Sequence, residues 1–311
     1  MTGPSWPLVP VPPPPALPPE TVRERLAASQ VWDALGFTPA DAEELARWRA
    51  AVSAADIRRI AAASAKVLAL PGQRLGPAAK SFFDGLPDRP GQPPGLLPML
   101  ALGVCAPEVV EFGRAQGFAT ETAGSGLRDL GQQAHVHRLA TGSFGLFTQW
   151  WLTLAWGGSL WWFGRLQFNL MRYEGEYWLS VHIPQTGPLA GVRDSFDRAW
   201  EFAARHLGEF AIAGLHLDSW LLDPNLAAGL GPESNIATFA GRWELQPAPR
   251  EASDDALFFT FGDRAATDYA ALPRRTRLER VVAERLEGGG AWHSPTGLIR
   301  WGAPAAVRAP R

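Results

Sequence analysis

The spacing of apolar positions divides the chain into two parts with different predicted secondary structure. From residue 20 to residue 134 apolar side chains recur every three or four positions, which is typical of amphipathic helices. From about residue 135 aromatic and β-branched residues become more frequent and strand patterns dominate. We therefore predict an α+β fold, with a helical N-terminal domain over 20–134 and a mixed α/β C-terminal domain over 135–303.

Helix caps and changes of period give the predicted element order. Thr38 before Pro39, and Ser53 before an alanine-rich run that reaches Leu70, are helix N-terminal signals. The second part predicts elements in the order strands 138–147, 160–171 and 176–183, helix 191–207, strand 211–220, a short helix near 223–230, strands 236–246 and 256–262, helix 272–287 and a strand at 298–301.

The first 19 residues, MTGPSWPLVPVPPPPALPP, are too rich in proline to form a helix or a central strand. Proline fixes φ and removes the backbone donor that both structures need. We predict that residues 1–19 are an extended or disordered lead outside the folded domains.

Composition and charge exclude several classes of protein. The hydrophobic content of 46% predicts a sizeable buried core, and the net charge of −2 gives no basic surface for nucleic acid. The single cysteine, Cys105, excludes an intramolecular disulfide. No apolar run reaches the roughly 18–20 residues of a membrane span, and no signal peptide is evident. We expect a cytoplasmic protein without nucleic-acid or membrane partners; its oligomeric state stays open.

Tryptophan is unusually frequent, with 14 copies, of which five fall between Trp150 and Trp162. Packing of these rings in the core is the favoured interpretation. The alternative is an aromatic surface for a sugar, an acyl chain or a partner.

The stretch from Glu176 to Trp220 is the strongest candidate for a ligand site. It is predicted to form a strand, a loop rich in glycine and proline, an amphipathic helix and a second strand. Such a loop brings backbone N–H groups and a helix N-terminus together, where they can hold an anion such as a pyrophosphate. An ordinary strand–helix turn explains the residues alone equally well. The candidate binding residues are Gln185, Thr186, Gly187, Leu189, Ala190, Gly191 and Arg193.

Ionisable side chains beside this loop are the candidates for catalysis. His182 ends the preceding strand, and histidine can accept a proton near neutral pH. The alternative is that its ring bonds to the loop backbone. On the next strand His216, Asp218 and Trp220 alternate onto one face, where burial of ionisable groups is costly without a partner or a purpose.

Other chemistry has little support in the sequence. His135 and His137 share a face of a predicted strand, but no third metal ligand is evident nearby. Cys105 lies in an apolar helical context, which predicts an unreactive thiol. We therefore expect no metal.

Several segments resemble a family of two-domain bacterial acyltransferase domain-containing proteins, with a helical N-acyltransferase N-terminal part and a C-terminal part like the GNAT acyltransferase fold. The order of elements from Glu176 to Gly262 resembles the second half of that fold. The matching segments are Gly164-Arg165-Leu166-Gln167-Phe168, His182-Ile183-Pro184 with Gly187-Pro188-Leu189, Asp218-Ser219-Trp220-Leu221-Leu222-Asp223-Pro224, Ser234-Asn235-Ile236 and Leu272-Pro273-Arg274-Arg275-Thr276.

The resemblance implies an enzyme that moves an acyl group from acyl-coenzyme A, bound at the 185–191 loop, to a small-molecule or peptide amine. His182, His216 and Asp218 would lie near the chemistry. The tyrosine that often protonates the leaving thiolate in this fold has no equivalent in 223–235, so either Ser219 or Ser234 would substitute for it or the step would need no acid.

The loop departs from the usual GNAT signature, in which Gln or Arg is followed by two residues, a glycine, one residue and a Gly or Ala. Strings with that spacing begin at Gln73 and Arg114, in the helical half, and we interpret them as chance matches. The departure keeps open an alternative function: a non-catalytic protein that binds a ligand or a partner on the same fold.

Overall fold

The computed structural model describes residues 6–302, which form two compact units. The first unit contains the described chain up to Phe163 together with Ala204–Phe210. The second contains Gly164–Ala203 and the described chain from Ala211 onward. The domain boundary that the sequence predicts, near residue 135, falls inside a helix of the first unit.

The first unit is almost entirely helical. Its helices are α1 (Pro19–Ala27), α2 (Ser29–Asp33), α3 (Pro39–Ala50), α4 (Ala54–Leu68), α5 (Leu96–Val104), α6 (Ala106–Ala115), α7 (Thr120–Gly124), α8 (Asp129–Thr141) and α9 (Gln149–Trp156), followed by strand β1 (Leu160–Phe163). Every residue of α5 is buried, so this helix is the centre of the core. The predicted caps are confirmed, because Thr38 and Ser53 accept the backbone N–H groups of Asp41 and Asp56.

The predicted strand at 138–147 is wrong. Residues 138–141 are the last turn of α8, and Gly142, with φ of 75°, ends the helix. The histidine pair His135 and His137 therefore lies on a helix and not on a strand face. Leu139, an apolar residue of this stretch, is 55% exposed on the helix surface.

The described part of the proline-rich lead, residues 6–18, is an extended chain with defined contacts in the first unit. The backbone N–H of Val9 donates to the side-chain oxygen of Gln116, and the Gln116 amide donates back to the Val9 carbonyl. The N–H of Leu17 donates to the Ser64 hydroxyl at 2.7 Å. Of the two predicted alternatives, the structure has the extended one; residues 1–5 lie outside the described residues.

The tryptophans of the first unit pack in its interior, as the favoured interpretation held. Trp156 and Trp161 are at most 1% exposed, and the Trp156 indole donates to the Leu102 carbonyl at 3.0 Å. Trp150, 40% exposed, is the exception among the five clustered rings.

The second unit is built on a mixed sheet. Its elements are β2 (Leu166–Tyr173), β3 (Glu176–His182), α10 (Val192–His206), β4 (Gly214–Asp218), α11 (Pro224–Leu230), α12 (Asn235–Ala240), β5 (Glu244–Leu245), β6 (Arg250–Glu251), α13 (Ser253–Phe261), α14 (Arg277–Glu287), β7 (His293–Ser294) and β8 (Thr296–Arg300). Within this unit the strand order is β2-β3-β4-β8-β5. The β3–β4 pair is parallel, and the other neighbours are antiparallel.

The predicted strand at 256–262 is wrong, and the one at 236–246 is a strand only at Glu244–Leu245. Residues 235–240 form α12, because the Ser234 hydroxyl accepts the Ala237 N–H and caps a helix there. Residues 253–261 form α13, since a short apolar run does not distinguish a buried helix from a strand. The α+β fold class itself is confirmed.

The sheet has one apolar and one polar face. Phe168 on β2 and Leu215 on β4 lie on the apolar face, and the Phe168 ring contacts Phe196 of α10, with 6.5 Å between ring centroids. The apolar side of α10 therefore covers this face. Among the described residues no single helix is long and apolar enough to cross a membrane; the bent pair α5–α6 meets the length and composition criteria only jointly.

Candidate active site

A row of polar side chains crosses the centre of the sheet. The β2–β3 register places Gln167 opposite His182 and Asn169 opposite Ser180, and the β3–β4 register places Ser180 beside His216. Directly paired residues project to the same face, so all five share one face. Four of them are at most 9% exposed. Because buried polar groups cost free energy unless they are bonded, this row marks the candidate site.

Strands β3 and β4 separate as they approach this site. Their ladder pairs Leu179 with Leu215 and Ser180 with His216, and the described ladder has no further pair between the two strands. Both continue beyond it, β3 to His182 and β4 to Asp218. The carboxyl ends of the two parallel strands therefore diverge, and such an opening is where ligands enter open α/β sheets.

His182 is a neutral imidazole at the edge of this opening. Its Nε2 lies 2.6 Å from Oδ1 of Asn169. Burial lowers the pKa of His182 to about 4, and the positive charge of a protonated His216 adds to the shift. At neutral pH the ring therefore carries a lone pair that can accept a proton. The partner in this bond is a side chain on β2.

His216 is the most deeply buried ionisable group of the row, at 2% exposure. Its Nε2 lies 3.9 Å from Oδ2 of Asp218, and its ring lies 4.8 Å from the Tyr173 ring. Burial lowers the pKa of His216, although the Asp218 carboxylate opposes the shift. Nδ1 of His216 is buried and has no hydrogen-bond partner among the described residues. An orphaned nitrogen of this kind is what a bound ligand would satisfy.

Asp218 and Ser219 have structural bonds of their own. The Thr296 hydroxyl donates to Oδ1 of Asp218 at 2.5 Å across the β4–β8 pair. Ser219 accepts the Leu221 N–H and caps a turn of 3₁₀ helix over Trp220–Leu222. Trp220 consequently leaves the strand and packs in a second hydrophobic core, so the prediction that it shares the face of His216 is wrong.

The 185–191 loop uses part of its backbone internally. The N–H groups of Thr186 and Ala190 donate to the carbonyls of Pro184 and Pro188 at 2.9 Å. These two amides are therefore engaged in turns within the loop. Gly187, with φ of 123°, adopts backbone geometry that other residues rarely reach.

The other candidate binding residues of the loop are placed differently from one another. Leu189 is buried and anchors the loop, whereas Gly191, with φ of 67°, is exposed. Gln185 donates from its amide to the carbonyl of Phe259. Arg193 is exposed in the first turn of α10, 3.8 Å from Asp197.

Arg165 fixes the loop from the start of β2. Its Nε donates to the Pro188 carbonyl at 2.9 Å and its Nη2 to the Gly187 carbonyl at 2.8 Å. Its Nη1 is buried without a partner in the described part of the chain, and burial lowers the pKa of the guanidinium. The sequence carried no signal for a contact between Arg165 and a residue 22 positions away.

A groove of about 570 Å³ adjoins the loop within the second unit. Pro188 and Leu189 line one side, the segment 230–236 lines the other, and Arg277 lies at its border. Ser234 in this segment caps α12. The Arg277 guanidinium donates to the Gly229 carbonyl at 3.2 Å, so it is held at the groove while it keeps donors for a ligand.

The alternatives based on cysteine or metal chemistry have no geometric support in the described residues. Within residues 6–302 no three histidine, cysteine or carboxylate side chains converge as metal ligands. His137 bonds through Nδ1 to the Ser143 carbonyl at 2.9 Å. Cys105 is fully buried, and burial raises the pKa of its thiol, which keeps it protonated.

Two family descriptions match the chain, one for each half. The N-acyltransferase N-terminal domain matches residues 27–158, and the GNAT-like C-terminal domain matches residues 160–299. No curated protein is similar enough in sequence to match the chain.

Solved acyltransferase structures are similar to the chain over nearly its whole length. One, in complex with decanoyl-CoA, is 25% identical with a TM-score of 0.72. A second, in complex with decanoyl-CoA and teicoplanin, is 26% identical with a TM-score of 0.74. A third, in complex with CoA and 10C-teicoplanin, is 28% identical with a TM-score of 0.63. Each comparison covers 91% of this chain and 99% of the other.

Proposed function

The chain belongs to the family of two-domain acyltransferases that joins an N-acyltransferase N-terminal domain to a GNAT-like C-terminal domain, and on this premise we propose that it transfers an acyl group from acyl-coenzyme A to an amine. The observation that carries the proposal is the neutral His182 at the diverging ends of β3 and β4, directly before the 185–191 loop. The proposal includes a cytoplasmic location, where acyl-coenzyme A is available.

The loop and the groove are the proposed binding site for coenzyme A. The N–H groups of Gly187, Leu189 and Gly191, with the N-terminus of α10, would receive the pyrophosphate. Arg165 supports this geometry because it binds the carbonyls of Gly187 and Pro188 and thereby fixes the orientation of their peptide planes. The adenosine and its 3′-phosphate would lie in the groove beside Arg277. The crystallised neighbours with acyl-CoA or CoA support the choice of donor.

The reaction needs proximity, a base and a route for the leaving group. The amine nitrogen attacks the thioester carbonyl carbon, and the new C–N bond forms as the C–S bond breaks. His182 takes the proton that the amine loses, and coenzyme A leaves as a thiolate that regains a proton. His216 and Asp218 would orient the acceptor on the same polar face, and Ser219 remains the proposed donor to the thiolate.

For the acceptor we propose a chemical class and not a particular molecule. Two of the neighbours were crystallised with teicoplanin or its 10C form, which supports a small-molecule or peptide acceptor. A glycopeptide is accordingly the first acceptor to try.

The experiment is a transfer assay with decanoyl-CoA as donor and teicoplanin as acceptor, in which free coenzyme A and the acylated product are both quantified. We expect product from the wild type and a loss of about 10²–10⁴-fold in His182→Gln. The matched control is His293→Gln, which changes a half-exposed histidine on β7, outside the polar row. Equal turnover in His182→Gln and His293→Gln would refute the proposal. Binding of decanoyl-CoA without transfer to any amine would favour the non-catalytic alternative.

A further inference from the structure

Asn169 is a buried amide with a fixed orientation. It lies on β2 at 5% exposure, and its Nδ2 donates to the Leu170 carbonyl at 3.0 Å. Reversing the amide would place Oδ1 against that carbonyl, which is also an acceptor. The orientation is therefore set by the backbone, and Oδ1 must be the atom that faces the Nε2 of His182.

This orientation determines which nitrogen of His182 carries the hydrogen. An amide oxygen accepts and cannot donate, so the 2.6 Å contact requires a hydrogen on Nε2 of His182. A neutral imidazole has one N–H only, and its lone pair is then on Nδ1. The two bonds of Asn169 thus select one of two tautomers.

We propose that Asn169 is a positioning residue that holds His182 in the Nε2–H tautomer, so that Nδ1 is the atom that accepts the proton of the attacking amine. The inference rests on the proposed acyl transfer and deepens it. When the amine nitrogen bonds to the thioester carbon, its proton passes to Nδ1 and the C–S electron pair leaves with coenzyme A. The resulting imidazolium keeps its Nε2–H bond to Asn169, so the contact survives both protonation states.

The uncharged amide also suits a base that must stay unprotonated at rest. A carboxylate at this position would attract the imidazolium and raise the pKa of His182. The ionisable groups on the same polar face are Tyr173 of β2, Glu176 of β3, His216 and Asp218 of β4, Arg300 of β8 and Glu244 of β5. Of these, the charge that acts on His182 is that of protonated His216, which lowers the pKa further.

The test is the tautomer itself, measured in the full-length protein with ¹⁵N-labelled histidine. Long-range ¹H–¹⁵N correlation spectra separate protonated from unprotonated ring nitrogens, and His182→Gln assigns the signals. At neutral pH we expect a protonated Nε2 and an unprotonated Nδ1 for His182. Asn169→Leu should give a mixture of tautomers and lower transfer on the order of tenfold or more. Asn169→Asp should keep the tautomer and move the acidic limb of the pH–rate profile to higher pH.

The matched control is Ser180→Ala, which removes the hydroxyl opposite Asn169 on the same face and should leave the His182 tautomer unchanged. A hydrogen on Nδ1 of His182 in the wild type, or an unchanged tautomer in Asn169→Leu, would overturn the role of Asn169. The tautomer and transfer measurements distinguish the proposed acyl transfer from the positioning role of Asn169. An inactive wild type with the expected tautomer contradicts acyl transfer alone, whereas an active enzyme with the other tautomer contradicts the positioning role alone.

Discussion

At the residue scale, the proposed chemistry depends on a few polar side chains whose surroundings determine their protonation and hydrogen bonding. The sequence pointed to His182 and His216 because ionisable residues on a strand need a purpose or a partner. It gave no sign of Asn169, since an asparagine in a strand is recognisable as a partner only once the register places it across from β3. The two histidines could be selected from the sequence because of their chemistry, whereas the hydrogen bonds between strands could not be predicted.

Burial of neutral His182 makes stability depend on pH. Its pKa is about 4 in the folded protein against 6.5 as the ordinary value, so the unfolded chain binds more protons between these limits. Stability is therefore complete above about pH 6.5 and falls by up to about 3 kcal/mol as the pH drops toward 4. Urea unfolding of the wild type and His182→Gln at about pH 7 and about pH 5 measures this difference.

The lowered pKa of His216 also reduces stability as the pH falls, so some pH dependence should persist in His182→Gln. Parallel pH dependence in the wild type and His182→Gln would show that His182 is not buried as a neutral ring.

At the element scale, the region from β3 to β4 followed its sequence pattern closely, because strand, loop, helix and strand each carry local signals of their own. The region 138–147 did not follow its predicted strand pattern. The end of α8 and the irregular segment after it together resemble the alternation of apolar and polar residues in a strand. The loop was predictable as a loop between strand and helix. The hydrogen bonds from Arg165 to the loop were not predictable, because no local rule connects a strand residue to a turn more than 20 positions away.

Arg165→Gln should weaken coenzyme A binding about tenfold, because the variant loses two charge-assisted bonds that order the loop. Thermal shifts over a series of coenzyme A concentrations give the affinity. The control is Arg172→Gln on the same strand, whose guanidinium is exposed and bonds to Gly175. Equal affinity for coenzyme A in both variants would show that Arg165 does not contribute to the binding site.

Thr276→Ala should destabilise the protein by about 1 kcal/mol, because it removes half of a capping box at the start of α14. Thr276 and Glu279 each accept the backbone N–H of the other. Thr238→Ala, an exposed change inside α12, is the control and should be nearly neutral. Chemical unfolding measures both, and equal stability of the two variants would argue against the cap.

At the scale of the whole molecule, each half of the chain matches one domain of an acyltransferase family, and the candidate chemistry lies in the second unit. Sequence segments sufficed to identify the family and the fold class. The groove was not predictable, because its two sides come from the 185–191 loop and from the 230–236 segment that follows another strand.

Arg277→Gln should weaken binding of coenzyme A about tenfold and leave binding of 3′-dephospho-coenzyme A nearly unchanged, because the proposed contact is with the 3′-phosphate. Arg280→Gln, one turn along the same helix, is the control. Competition binding with the two ligands gives both affinities. Equal losses of affinity for the two ligands would show that Arg277 does not contact the 3′-phosphate.

The most direct test of acyl-coenzyme A binding at the 185–191 loop is calorimetric titration of the full chain with decanoyl-CoA. We predict one site with a dissociation constant in the micromolar range, which corresponds to about 8 kcal/mol. Gly187→Pro should abolish the binding heat while the protein stays folded, because proline cannot adopt the φ of 123° that Gly187 has in the exposed loop. No binding to folded wild-type protein, or equal affinity in Gly187→Pro, would contradict the placement of acyl-coenzyme A at this loop.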